Sequence, residues 1–233
     1  MTVDKAPATI APMSRRRPSS RSSTPARGRG KQATSRPAGQ LRIIGGEHRR
    51  RRLPVLDSPG LRPTPDRVRE TLFNWLGMAT PGARVLDLFA GTGALGLEAL
   101  SRGAAEATLV ERDARVARAL SDNLATLGIA SAEVSVADAL GYLEAGLAEE
   151  RSPFSLVFLD PPFRQGLAAP CCRALEAGWL AADAWIYVET ESELTPAVPS
   201  GWRLHREVRA GDSTGRLYHR PDTAGASPDD DAC

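Results

Sequence analysis

The sequence is poor in cysteine: three in 233 residues, Cys171, Cys172 and Cys233, two of them adjacent. Three thiols cannot pair completely, which excludes a disulfide-stapled secreted scaffold; they read as reduced thiols of a cytoplasmic protein. None stands at ligand spacing from His48, His205 or His219, so no metal site is expected. No apolar run approaches the length of a membrane span, and the N-terminus has no secretory apolar region, so no membrane partner is expected either.

What is present is unevenly placed. The formal net charge is +2. Residues 1–52 carry 14 Lys and Arg against Asp4 and Glu47, while the remaining 16 basic and 26 acidic residues make the rest acidic. This is the pattern of a basic arm, able to meet a polyanion, on an acidic globular body. Residues 1–40 ("SRRRPSSRSSTPARGRG") show no periodicity and too little apolar surface to offset the entropy of ordering, so a disordered basic arm is expected there. Residues 221–233 ("PDTAGASPDDDAC") read as a disordered acidic tail.

Between them, residues 41–80 form an N-terminal extension. It holds a short strand in "LRIIGG", four arginines from Arg49 to Arg52, and a helix in "RPTPDRVRETLFNWLG". Thr64 is expected to cap that helix with Pro65 at its first position, and Gly77 to end it. Val68, Leu72, Trp75 and Leu76 form its apolar face. Over residues 81–220, apolar strand runs ("RVLDLF", "ATLVE", "EVSVAD", "SLVFLD", "WIYVE") alternate with helical patterns. Asp113 is a predicted N-cap and Gly128 a predicted helix stop. Strands apolar on both faces and separated by helices give an α/β fold, a doubly wound, mostly parallel sheet, closed by a hairpin of "WRLHREVRA" and "GRLYHR".

The first four of the runs carry an acid at or near their end: Asp87, Glu111, Asp138 and Asp160. Ligands of such sheets bind beyond the carboxyl ends of the strands, so these four define one rim. After Asp87 comes "FAGTGALGLEAL", whose Gly91, Gly93 and Gly96 permit a tight turn and a close backbone approach to a bulky ligand. Glu111, 24 residues on, stands where an acid can accept from ribose hydroxyls, a pattern that also fits NAD. An acid before the loop disfavours a pyrophosphate by like charge and favours a cationic ligand. S-adenosylmethionine, with an amino group and a sulfonium, is therefore the expected cofactor.

The fourth strand runs straight into "DPPF". An exocyclic amine on a base attacks poorly because its lone pair is delocalised into the ring. Asp160 and a backbone carbonyl fixed by Pro161 and Pro162 can accept both of its N–H bonds and draw the nitrogen towards a nucleophilic geometry. Phe163 can stack on a base taken out of its own stack. Asp160 to Phe163 are thus the expected catalytic segment.

"DLFAGTGALGLEALSRGA" with "VFLDPPF" resembles the amino-group methyltransferases of the class I S-adenosylmethionine-dependent fold. "LRIIGGEHRRRRLPV", "LRPTPDRVRETLFNWL" and "GWLAADAWIYVE" narrow the resemblance to the RsmD family, over about residues 41–220. That resemblance implies methylation of the exocyclic N2 of a guanine, position 966, in 16S rRNA within the small ribosomal subunit or its assembly intermediate. It implies that Asp87, Ala90, Gly91 and Gly93 line the donor's amino-acid end, that Glu111 takes the ribose hydroxyls and that Asp138 takes the adenine amine. The extension fits an RNA substrate, with Arg49, Arg51, Arg52, Arg62 and Arg67 as phosphate contacts. The family usually has Arg-Gly-Arg where this chain has Arg49-Arg50-Arg51. If that glycine serves a positive-φ turn, the loop here is expected to differ. A monomer is expected. The rival readings are an adenine-N6 methyltransferase acting on DNA or RNA, an RNA-binding assembly factor without activity, and an NAD oxidoreductase.

Overall fold

A computed structural model describes residues 39–56, 64–146 and 152–222. The expected disordered arm and acidic tail fall almost wholly outside these residues, and so does Arg62. The first strand begins at Gly39, two residues ahead of the expected start: β1 (Gly39–Arg42) pairs antiparallel with β2 (Arg52–Val55). Backbone bonds from Ile43 to Arg51 and from Arg50 to Ile43 continue this hairpin towards its tip.

Helix α1 (Asp66–Leu76) follows. Its N-cap is Pro65 with no side-chain cap bond, so Thr64 is not the cap the sequence suggests. The Thr64 hydroxyl is used elsewhere, as described below. Val68, Leu72 and Leu76 are buried as expected, Trp75 only partly, and Arg69 joins them inside at 1% exposure. Gly77 ends the helix with φ +47°.

The main sheet has seven strands: β3 (Arg84–Asp87), β4 (Glu106–Glu111), β5 (Ala132–Val136), β6 (Phe154–Leu159), β7 (Leu180–Glu191), β8 (Arg203–Ala210) and β9 (Ser213–Arg220). Their order is β5-β4-β3-β6-β7-β9-β8, parallel from β5 to β7, with β9 and β8 antiparallel. This is the expected doubly wound sheet with its closing hairpin. The connecting helices are α2 (Gly96–Ser101), α3 (Ala114–Leu127), α4 (Ala139–Ala145) and α5 (Ala168–Leu175). Asp113 caps α3 by accepting from the Arg115 amide, and Gly128 ends it in the left-handed region, both as predicted.

Two cores cover the two faces. One joins β3, β4 and β6 to α1, α2, α3 and the β1–β2 hairpin through Leu53, Leu72, Phe73, Leu97, Leu109, Leu120 and Phe158. The other sits under α4 and α5, around Leu143, Cys171, Cys172, Leu175, Trp179 and Ile186. Burial raises both cysteine thiols to about 12. β8 is a free edge of the sheet, and Arg203, Leu204, His205, Arg206, Glu207 and Arg209 along it are exposed.

The N-terminal hairpin is clasped to α2 by buried charge. Glu98, 0% exposed, accepts from the amides of Ile44 and Gly45 at 2.8 Å each, from Arg102 Nε at 2.7 Å and from Arg69 at 3.5 Å. Arg69 also reaches the Arg42 carbonyl at 2.9 Å and Asp66 at 2.6 Å. Removing one partner of such a set strands a buried charge and costs about 3–5 kcal/mol.

Candidate active site

Strand order reverses between β3, which is followed by β4 and β5 on one side, and β6 on the other. The carboxyl ends of β3 and β6 therefore flank the crevice where ligands of such sheets bind. Asp87 ends β3, and Asp160 follows β6. A cavity of about 880 Å³ opens there, within the range of small-molecule and cofactor sites. Its wall includes Asp87, Ala90, Gly91, Glu111, Asp138 and Asp160 to Phe163, which the structure thus brings together. Gly93 is not part of that wall. Its φ is +81°, and a Cβ would come within 2.5 Å of Leu120 and 2.8 Å of Leu97, so it shapes the turn from behind.

Gly91, Gly93 and Gly96 are spaced Gly-x-Gly-x-x-Gly, the dinucleotide-binding spacing, so spacing leaves the cofactor open. Asp87 decides the matter. It is 2% exposed; its Oδ2 accepts from the Gly96 amide at 3.1 Å, and its Oδ1 has no hydrogen-bond partner. Burial pushes its carboxyl up to about 7, an effect that the Gly96 hydrogen bond and the nearby Phe89 amide partly offset and the nearby Glu111 reinforces. A pyrophosphate would add negative charge beside it, whereas an ammonium would satisfy the orphaned oxygen. The residues present fit S-adenosylmethionine.

Glu111 bridges two loops, accepting from the Gly91 amide at 3.0 Å and the Asp113 amide at 2.7 Å. Each oxygen keeps a second lone pair for a hydroxyl. Asp138 is exposed and caps α4 through the Gly141 amide at 2.9 Å.

At the other end of the cavity, Asp160 Oδ2 accepts from the Thr64 hydroxyl at 3.2 Å. Burial, then the charge of Glu189, raises the Asp160 carboxyl well above the usual carboxylate range; the Thr64 bond works against them. Pro161 is buried, and Pro162 and Phe163 are half-buried. Arg164 then takes φ +62° and donates its amide to Glu191, turning the chain away from the segment.

Thr64 and Glu189 were not among the residues expected to form the site. The sequence gives Thr64 a helix-cap signature that the cavity overrides. Glu189 had a legible signal: "WIYVE" ends in an acid as the four preceding strand runs do. Glu98 and Arg69 carried no signal, because an acid and an arginine inside amphipathic helices read as exposed.

The arginines divide. Arg67 is exposed on the first turn of α1, beside Thr64 and Pro65 of the cavity wall. Arg49, Arg51 and Arg52 are exposed on the hairpin, and none of them lines the cavity. Arg51 donates to the Thr126 carbonyl near the end of α3, roughly 18 Å along that helix from its cavity end at 1.5 Å per residue. Arg50 itself takes φ +70°, a left-handed conformation that glycine would adopt without strain.

The family model of conserved hypothetical protein 95 matches residues 41–219. Ribosomal RNA small subunit methyltransferase D of Escherichia coli is 56% identical over 185 residues, 78% of this chain and 91% of that protein. The protein of the same name from Haemophilus influenzae is 47% identical over 183 residues, 77% of this chain and 94% of its own length. A solved structure of an Escherichia coli protein, named only as a candidate methyltransferase, has a TM-score of 0.72 and 53% identity. The match covers 78% of this chain and 99% of that one.

Proposed function

We propose a function on one premise: the chain belongs to the conserved hypothetical protein 95 family, the RsmD family. It is an rRNA methyltransferase of the cytoplasm that uses S-adenosylmethionine and acts on 16S rRNA in the small ribosomal subunit or its assembly intermediate. The methyl acceptor is the exocyclic N2 of a guanine, position 966 by the family resemblance. The observation that carries this reading is the orphaned Asp87 oxygen at one end of a cavity whose other end is Asp160-Pro-Pro-Phe163.

The bound donor supplies an electrophilic methyl group on a sulfonium sulfur. Asp87 pairs with the donor's ammonium, while Ala90 and Gly91 leave room beside it and Gly93 holds the turn. Glu111 accepts from the ribose hydroxyls and Asp138 from the adenine amine. Asp160 accepts an N–H bond of the guanine amine, turns its lone pair outward and takes the proton that leaves N2 during or after transfer. Its raised pKa suits it to hold that proton. Pro161 and Pro162 fix the backbone carbonyl that takes the second N–H, and Phe163 stacks on the base.

Residues 41–80 form the RNA-contacting extension to a methyltransferase domain of residues 81–220. Arg67 would meet phosphates beside the base, and Arg49, Arg51 and Arg52 others along the hairpin. Arg62 belongs to the same extension. The protein acts as a monomer.

The test is methyl incorporation from labelled S-adenosylmethionine into small subunits of a bacterium lacking its own enzyme of this family, followed by nucleoside analysis. Label in N2-methylguanosine at one position is the expected result. Label in N6-methyladenosine would keep the chemistry and overturn the substrate.

A further inference from the structure

The acceptor end of the cavity contains a second acid that the roles above leave unused. Leu159 of β6 pairs in register with Val188 of β7, which puts Asp160 beside Glu189. Registered residues of a parallel pair lie about 4.8 Å apart and point to the same face, so the two carboxylates stand abreast. Glu189 is 5% exposed, yet it forms part of the cavity wall.

Its position is held from behind. Tyr187, also on β7 and 0% exposed, donates its phenol O–H to Glu189 Oε2 at 2.8 Å. The Tyr187 ring packs against Gly215 of β9, where a Cβ would come within 2.0 Å of the phenol oxygen. Glycine at 215 is thus what lets the tyrosine stand under the acid. No cation neutralises this end: among the described residues of the cavity wall the one arginine is Arg112, which follows Glu111 on the donor side. A buried acid kept for structure is saturated with donors, as Glu98 is. Asp160 and Glu189 instead leave acceptor capacity facing the cavity.

We infer that Glu189 reads the target base: its carboxylate accepts the ring N1–H of guanine while Asp160 accepts the adjacent N2–H. This rests on the guanine-N2 reading above and adds the group that selects the base. Among the four RNA bases, guanine alone sets a ring N–H beside an exocyclic amine. Adenine and cytosine set a bare ring nitrogen there, so a lone pair would face the Glu189 carboxylate and leave it unpaired. Uracil has the ring N–H but no amine to methylate. Asp160 and a backbone carbonyl accept from any amine and do not choose among them. The choice belongs to the neighbouring strand.

The experiment compares two substrates: small subunits reconstituted with 16S rRNA carrying guanine, or 2-aminopurine, at the target position. 2-Aminopurine keeps the amine to be methylated and replaces N1–H with an acceptor. The wild-type enzyme should prefer guanine by about 100-fold or more in kcat/KM, since a site built to pair a polar group rejects the analogue lacking it. In Glu189→Gln, whose amide can turn its NH2 to the bare N1, that preference should fall at least tenfold. The rate on 2-aminopurine should rise as the rate on guanine drops. Tyr187→Phe keeps the acid but loosens its aim, and should lose a smaller part of the preference.

Calorimetry with S-adenosylmethionine checks that each variant is folded; if Glu189→Gln fails that check, the preference of Tyr187→Phe decides by the same criterion. An unchanged preference, or an equal loss on both substrates, overturns the inference and leaves the guanine-N2 function standing. A wild-type enzyme that labels neither substrate overturns that function, and this inference with it.

Discussion

The molecule buries carboxylates in two places and treats them in opposite ways. In the clasp between the N-terminal hairpin and α2, Glu98 meets two backbone amides and two arginines. At the strand ends, Asp87, Asp160 and Glu189 have among them the Gly96 amide, one threonine hydroxyl and one phenol, and an oxygen of Asp87 has no partner. Both sets lie in the same unit of the fold. The difference is one of saturation. A buried acid whose donors are all internal holds the fold together; one whose donors are missing costs stability until a ligand brings them.

Substitution should separate the two sets. Asp160→Ala should lower methyl transfer about 100- to 1000-fold while donor affinity stays within about threefold, losses of this size being usual for groups that act on the reacting atom. Radiolabel incorporation and calorimetry measure the two. Next in size, Glu98→Ala leaves the Ile44 and Gly45 amides and the Arg102 guanidinium without their buried acceptor and should cost about 3–5 kcal/mol. A Tm lower by roughly 10 °C is expected by scanning calorimetry. If Glu98→Ala removed activity without lowering Tm, the comparison would fail.

Asp87→Asn sharpens the comparison through pH. The folded carboxyl titrates at about 7 against 3.8 when unfolded, so between those values the native state holds a proton the unfolded state has lost. The contribution of this group to stability is therefore greatest below about 4 and declines as pH rises to 7. Removing the charge should leave the empty protein at pH 8 at least as stable as wild type, while donor affinity falls ten- to a hundredfold. In the wild type, donor affinity should climb about tenfold per pH unit up to about 7 and level off above it. A donor affinity flat from pH 5.5 to 8 would remove Asp87 from that role. Smaller still, replacing Arg49, Arg51 and Arg52 by Gln should weaken RNA binding and reduce its salt slope by up to about 3. Smallest is Arg50→Gly, which relieves a left-handed arginine and should add about 1 kcal/mol on thermal unfolding, the order of the left-handed penalty for a residue with a Cβ.

The sheet was legible because its strands are apolar runs punctuated by glycine and acid, and the helices between them carry their own stops. The rim was legible for the same reason: Asp87, Glu111, Asp138 and Asp160 are acids that end apolar runs, where solvent-facing loops or ligand sites must begin. Contacts between segments distant in sequence were not. Thr64 reaches Asp160 across 96 positions and Arg69 reaches Glu98 across 29. Local pattern assigns each of these side chains a local role, a cap for Thr64 and a solvated face for the other two. Arg50 shows the converse. Sequence alone gives a left-handed turn to glycine, yet here an arginine takes it, held by the hairpin bonds of Ile43 with Arg50 and Arg51.

The β8 edge has a consequence for how the protein behaves in concentrated solution. An unpaired strand is a template for another copy, and here that template carries Arg203, Arg206 and Arg209. Two such edges approaching each other bring three arginines apiece together against the single acid Glu207. This repulsion is a colloidal safeguard with a range of about 10 Å at 0.1 M salt and about 3 Å at 1 M. Dilute buffer should thus be the protein's more forgiving storage medium, and concentrated brine the condition in which strand-to-strand association first clouds it.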